Sequence, residues 1–217
     1  MPTSAAMVPD ISPHLPGCPS LAIERTARKI VRDLCQWGKV WRAQMQPVAL
    51  LPTVVTYPVV PFDPDGQFDS FLSGHTTVDG NKRDLTFIAY ESAVRQFSQW
   101  PESYASPSPQ FVTMRGPAQG LMLIPVPEAV GTMDVFGTLI PTAIANSWDD
   151  ALYLEFNRVV FHGVLAELMA MPERSWSSPK TAADHRRFWV YERALARARA
   201  HSDFTPSSLS IEMRPFA

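Results

Sequence analysis

NSWDDALYLEFNRVVFHGVLAELMAM, residues 146–171, decides the fold. Leu152, Phe156, Val159, Val160, Val164, Leu165 and Leu168 recur at helical steps and cover more than half of the circumference. Such a helix belongs in the middle of a core, because a helix at the edge shows one narrow apolar stripe. Ser147 with Asp150 three positions on predicts a capping-box start, and Pro172 ends the helix.

The segments on either side must supply what this helix buries. Downstream, Ser178 and Pro179 open a second helix that runs through His185, Trp189 and Leu195 to about His201. It carries Lys180, Arg186, Arg187, Arg193, Arg197 and Arg199 against Asp184 and Glu192. Far upstream, Pro19 sits well at a first helical position, and Ile23, Ala27, Ile30, Leu34, Trp37 and Trp41 recur at steps of four and three. This predicts a third helix ending near Gln44, its opposite face made basic by Arg25, Arg28, Lys29, Arg32 and Lys39.

Between them the pattern shortens. Residues 47–145 hold β-prone pieces bounded by Pro, Gly, Asp and Ser, with strands expected at 48–51, 54–60, 110–115, 121–125 and 132–141. The turn at 116–120 predicts a hairpin, and 90–99 a short helix. This region has nine acidic and four basic residues. The expected fold class is therefore α+β: a mainly α-helical body of three long helices (19–46 and 146–201), an inserted small antiparallel β-domain (47–145), and extended termini at 1–18 and 202–217.

The chain has 217 residues, enough for one compact domain with an insertion. Its 21 prolines and 10 glycines predict broken, stiffened segments with little repetitive sheet. A formal net charge of −2 gives no whole-molecule attraction to nucleic acid or an anionic membrane, so any such contact needs a local patch. No apolar run reaches the length of about 20 residues that a membrane helix needs. The first sixteen residues lack the basic start and apolar stretch of a secretion signal. Cys18 and Cys35 have no metal-spaced partners and read as reduced thiols of a protein made in the cytoplasm, with a single disulfide as the alternative.

Catalytic patterns are missing from the sequence: no dinucleotide fingerprint, P-loop, nucleophile elbow or helix-borne zinc motif is present. His14, His75, His162, His185 and His201 are scattered; His162 could serve as a base near Glu155 or Glu167, but packing is the plainer role. Asp63, Asp65 and Asp69 look superficially like a metal loop, yet Asp-Pro and Asp-Gly are ordinary turn chemistry. No catalytic residue, metal or cofactor is assigned. Arg186, Arg193 and Arg197 on one helix face, with Arg25, Arg28, Lys29 and Arg32 on another, make phosphate contact physically possible, a solvated helix face being the alternative. The final residues Phe204, Leu209, Ile211, Met213 and Phe216 lack helical spacing, so they dock on a partner or fold back on the insertion.

Two stretches, PHLPGCPSLAIERTARKIVRDLCQWGKVWR at 13–42 and GVLAELMAMPERSWSSPKTAADHRRFWVYERALARARA at 163–200, together resemble the head-to-tail adaptor proteins of tailed bacteriophages, the neck or tail tubular type. An Ala-rich helix ending at Met171 and Pro172, a turn with Trp176 and Ser177, and a helix rich in Phe, Tyr and Arg carry the likeness. LMLIPVPEAVGTMDVF at 121–136 resembles the family's hairpin. Glu173 departs from it, standing where Gly commonly follows Met-Pro, and LPTVVTYPVVP lacks the usual Gly-containing turn.

The resemblance implies a virion structural protein without turnover. Its copies, about twelve, would form a heterologous ring under the portal protein, made and assembled in the host cytoplasm. Tail or further neck proteins would join that ring, and packaged double-stranded DNA would make transient, sequence-blind contact with it. The tail at 202–217 would meet the portal, the cations would face the lumen or a partner, and the basic body would suit the acidic insertion of a neighbour. The alternatives are another neck or tail-completion protein, a small soluble enzyme, or a monomeric DNA-binding module.

Overall fold

The computed structural model describes residues 3–101, 104–106, 108–116, 120–145, 147–148 and 150–202. In chain order these hold helix α1 (Val8–Ile11) and helix α2 (Ser20–Gly38), then strands β1 (Arg42–Gln44), β2 (Val48–Leu50), β3 (Thr56–Tyr57), β4 (Gly66–Val78), β5 (Asn81–Asp84) and β6 (Thr86–Phe87). Helix α3 (Tyr90–Gln96) follows, then β7 (Ala105–Ser106), β8 (Phe111–Thr113), β9 (Leu121–Ile124), β10 (Val126–Pro127) and β11 (Gly131–Pro141), and finally helices α4 (Asp150–Met169) and α5 (Pro179–Ser202).

This corrects the expected fold class. Among the described residues there are five α-helices and eleven strands in three sheets, 42% helical (3₁₀ turns included) and 28% strand, with a curled half-barrel sheet in place of a small insertion on a three-helix body. The main sheet runs β1-β11-β4-β5, with β2 also on β11. Its two long strands, β4 and β11, shift register twice, between Phe136 and Gly137 and between Thr138 and Leu139. Such bulges bend a sheet and increase its twist. Gly137 permits the bend, since a Cβ there would lie 2.5 Å from the Phe68 ring and 2.7 Å from the Ser70 carbonyl. The same bulges hid β4: GQFDSFLSGHTTV loses its alternation where the register slips, and its Asp, Ser and Gly resemble turn formers.

Helices and sheet share one core. Ile23, Ile30 and Leu34 of α2, Phe68 of β4, Val135 and Leu139 of β11, and Val160 and Val164 of α4 belong to a single buried cluster. A smaller one gathers Ala93, Trp100, Ile124 and Val126 beneath α3, where the Trp100 indole donates to the Leu123 carbonyl at 2.9 Å. The expected β8–β9 hairpin pairs antiparallel as read, but β6–β8 and β7–β10 pair in parallel, against an all-antiparallel insertion.

The N-terminal leader is not extended. Residues 4–14 wind through two 3₁₀ turns and α1, burying Met7, Ile11 and Leu15 at steps of four. Pro9 and Pro13 sit at first-turn positions, so these prolines start helical turns where they were expected to prevent them. Nor does the first long helix reach Gln44. It stops at Gly38 because Lys39 takes the left-handed conformation (φ 55°), its N–H donating to the Cys35 carbonyl. Trp41 then turns into the core beside β1, while Trp37 stays half-exposed on the helix. The expected extended tail at 202–217, with Phe204, Leu209, Ile211, Met213 and Phe216, lies outside the described residues beyond Ser202.

Candidate interaction surface

α5 rests on the body through a narrow stripe of Ala182, Trp189, Ala196 and Ala200. Steps of seven and four keep that stripe on one side of the helix, and alanine lets the backbones approach closely. Gly163 of α4 completes the fit: a Cβ there would meet Ile30 Cγ2 of α2 at 2.6 Å and the Trp189 ring at 3.0 Å. Three helices therefore cross at one glycine.

Polar contacts flank the stripe. Toward α4, His162 and His185 share a hydrogen bond between their Nδ1 atoms at 2.9 Å, one donating and the other accepting, and Phe188 stacks on His162. Further along, Arg158 Nε pairs with Glu192 at 3.0 Å. Desolvation lowers both imidazole pKa values below 6.5; Glu192 opposes and Arg158 reinforces it at His162, while His162 and His14 reinforce and Asp184 opposes it at His185. The unfolded chain thus takes up protons first, so stability held above about pH 6.5 is lost as pH falls through that value toward the lowered ones. We expect the melting temperature to drop between pH 7.5 and 5.5, and His162→Gln with His185→Gln to flatten that slope. An unchanged slope would assign the acid sensitivity to other groups.

Toward α2 the two expected cation clusters come together. Arg193 lies over Trp37 (4.5 Å to the ring centroid) and over Trp189 (5.3 Å), and Arg197 also lies over Trp37 (4.8 Å). Lys29 donates to Glu167 at 2.7 Å, Arg32 donates to the Pro141 carbonyl at 2.7 Å, and Arg28 is 3.6 Å from Glu24. Asp33 sits among Lys29, Arg193 and Arg32, yet burial still pushes its carboxyl up. Arg193 and Arg32 thus serve packing as much as display, whereas Arg25, Arg186 and Arg197 are exposed. What the seam offers chemically is guanidinium forks braced on an indole, suited to phosphate or carboxylate.

Away from the stripe, α5 mixes charges with large apolar side chains that stay exposed. Phe188, Val190, Tyr191 and Leu195 are exposed, Tyr191 to 64%, with Ala183, Ala194, Arg186 and Arg187 beside the central pair. Met171, Pro172, Trp176 and Ser177 lie in the α4–α5 turn. Pro172 ends α4, Glu173 takes a left-handed φ of 59°, and the Ser178 N–H returns to the Met169 carbonyl at 2.9 Å. The Ser177 hydroxyl also points to that carbonyl at 3.5 Å, while Trp176 packs partly against the core. A left-handed position is where glycine costs least, so Glu173 carries backbone strain that a glycine would not.

Sequence reading missed two polar groupings. Lys39 pairs with Asp69, which also accepts from the Thr138 hydroxyl at 3.2 Å, and Thr138 is 2.6 Å from the Ser70 hydroxyl. On the outer sheet His75 Nε2 is 3.2 Å from Asp134, in an open cleft with Ser73, Asp84 and Gln44. The β4–β11 register sets Thr138 beside Ser70 and Asp134 beside His75, while Lys39 reaches Asp69 from the end of α2, none of which sequence spacing encodes. Asp63 and Asp65 form the turn that leads into β4, where Asp65 accepts from the Ser147 hydroxyl at 2.5 Å and ties the segment before α4 to the sheet, whereas Asp69 lies within β4 itself. Among the described residues no three His, Cys, Asp or Glu side chains are grouped to hold a metal, and Cys18 and Cys35 are free thiols. No described helix is long and apolar enough to cross a membrane.

No protein-family profile matches the chain, and no curated protein matches it.

Proposed function

We propose that this chain is a virion structural subunit, a head-to-tail adaptor whose copies form a ring beneath the portal. In this reading it joins the DNA-filled capsid to the tail and forms part of the DNA conduit in the phage neck. The observation that carries the reading is α5, whose buried stripe docks on the body while Val190 and Tyr191 stay exposed on the side away from it and Phe188 and Leu195 are partly exposed along its α4 flank. A side chain exposed singly is ordinary, but four large apolar groups exposed along one helix call for a partner surface. The resemblance at 13–42 and 163–200 supplies the kind of partner. The braced cations at Trp37 suit weak, sequence-blind contact with packaged DNA or an acidic partner.

Sedimentation tests the proposal. The chain, mixed at micromolar concentration with the portal ring of its phage, is expected to travel with it at about twelve copies per portal. Chain that stays at subunit mass beside bare portals would oppose the adaptor reading. Salt-sensitive binding of the isolated chain to duplex DNA, without portal binding, would favour a DNA-binding module instead.

A further inference from the structure

We propose that the outer face of α5 packs on the far tip of the main sheet in the next copy of this chain, an inference that rests on the ring reading above. At that tip Leu50, Gly131 and Val78 lie side by side on β2, β11 and β4. One residue beyond each, the chain presents Leu51, Val130 and Asp79, all exposed, and Glu128 is exposed beside them. Two apolar side chains are thus rimmed by two carboxylates. On α5, Val190 and Tyr191 are rimmed by Arg186 and Arg187. Lys82 and Arg83 lie further back on the β5 edge, opposite Thr77 and Thr76, and Arg187 lies 3.8 Å from Asp184 of its own helix, so neither patch is purely of one sign.

Each patch has an apolar centre, and the rims are opposite in charge. Pairing two α5 helices would instead set cations against cations, which favours the sheet tip as the occupant. One copy cannot close this contact on itself by a short swing. α5 packs on α4 and α2, and α2 holds β11 at Pro141 through Arg32, ten residue steps or roughly 33 Å from Gly131. Two different patches on one chain make a heterologous contact, which propagates into a ring when its rotation closes.

Charge reversal separates this pairing from other uses of the same faces. Arg186→Glu with Arg187→Glu, and Asp79→Arg with Glu128→Arg, are each made in the full chain and checked for an unchanged melting temperature. Assembly is read by sedimentation velocity, alone and on the portal. Each double variant is expected to lose assembly by roughly tenfold or more. An equimolar mixture of the two is expected to recover it, because each variant's α5 then meets the complementary tip. Normal assembly of either variant, or no recovery in the mixture, overturns the pairing. So does loss of portal attachment by the α5 variant while its copies still form rings, which would give that face to the portal. Wild-type rings on the portal that ignore both reversals sink the pairing and leave the adaptor standing. Reversal-sensitive self-assembly without portal binding does the opposite, and a wild type that neither assembles nor binds at about 100 µM sinks both.

Discussion

Replacing Gly163 with leucine is expected to lower the unfolding free energy by about 3 kcal/mol, read as an early midpoint in urea. The informative companion is Gly163→Ala. In an exposed helix interior, alanine for glycine stabilises by about 1 kcal/mol, because the unfolded chain loses freedom and the helix gains a better former. Here the new Cβ would lie 2.6 Å from Ile30 Cγ2 and 3.0 Å from the Trp189 ring, so α2 or α5 must give way. The sign should reverse. An alanine variant as stable as the parent would mean that the three helices do not meet at this glycine.

The second large effect is expected at Asp69. This carboxylate is 9% exposed, pairs with Lys39 at the end of α2, and accepts from Thr138 at the centre of β11. Asp69→Ala leaves Lys39 facing a low-dielectric wall and strips Thr138 of an acceptor, while the lysine side chain, 37% exposed, recovers part of its hydration. A loss of about 2 kcal/mol follows, with Asp69→Asn losing less because the amide oxygen still accepts from Thr138. Equal destabilisation by both variants, measured by thermal melts, would place the effect in side-chain shape and take it away from the charge.

What could be read from the sequence tracks how local the physics is. α4 and α5 announce themselves by periodicity over five turns, and Pro179 and Pro172 mark their ends. α2 was legible at its start and wrong at its end, because Lys39 makes the left-handed stop that glycine usually makes. The long β4 strand was missed, though it carried one plain signal. Asp79-Gly80, with φ of 50° and 76°, is a tight hairpin turn, and Val78 pairs with Asn81 across it. Read as a turn, it would have placed strands on both sides and enlarged the sheet. The α1 region failed for the opposite reason: four prolines outweighed the buried repeat Met7, Ile11 and Leu15.

The candidate surface was half legible. Arg186, Arg193 and Arg197 were read as one stripe from their spacing. That this stripe would close over Trp37 and meet Lys29 and Arg32 depends on helix packing, which no spacing within α5 encodes. The sheet-tip patch could not be seen at all, since Leu51, Asp79 and Val130 become neighbours only through the β2–β11–β4 register.

The most direct test of the adaptor reading is cryo-electron microscopy of the chain mixed with the portal of its phage. A ring of chain density seated beneath the portal is expected, with every α5 outer face covered by a neighbour and the α2–α5 cations turned to the lumen or to a partner surface. Bare portals among free subunits at micromolar concentration, or a seated ring whose α5 faces point to solvent, would contradict that expectation.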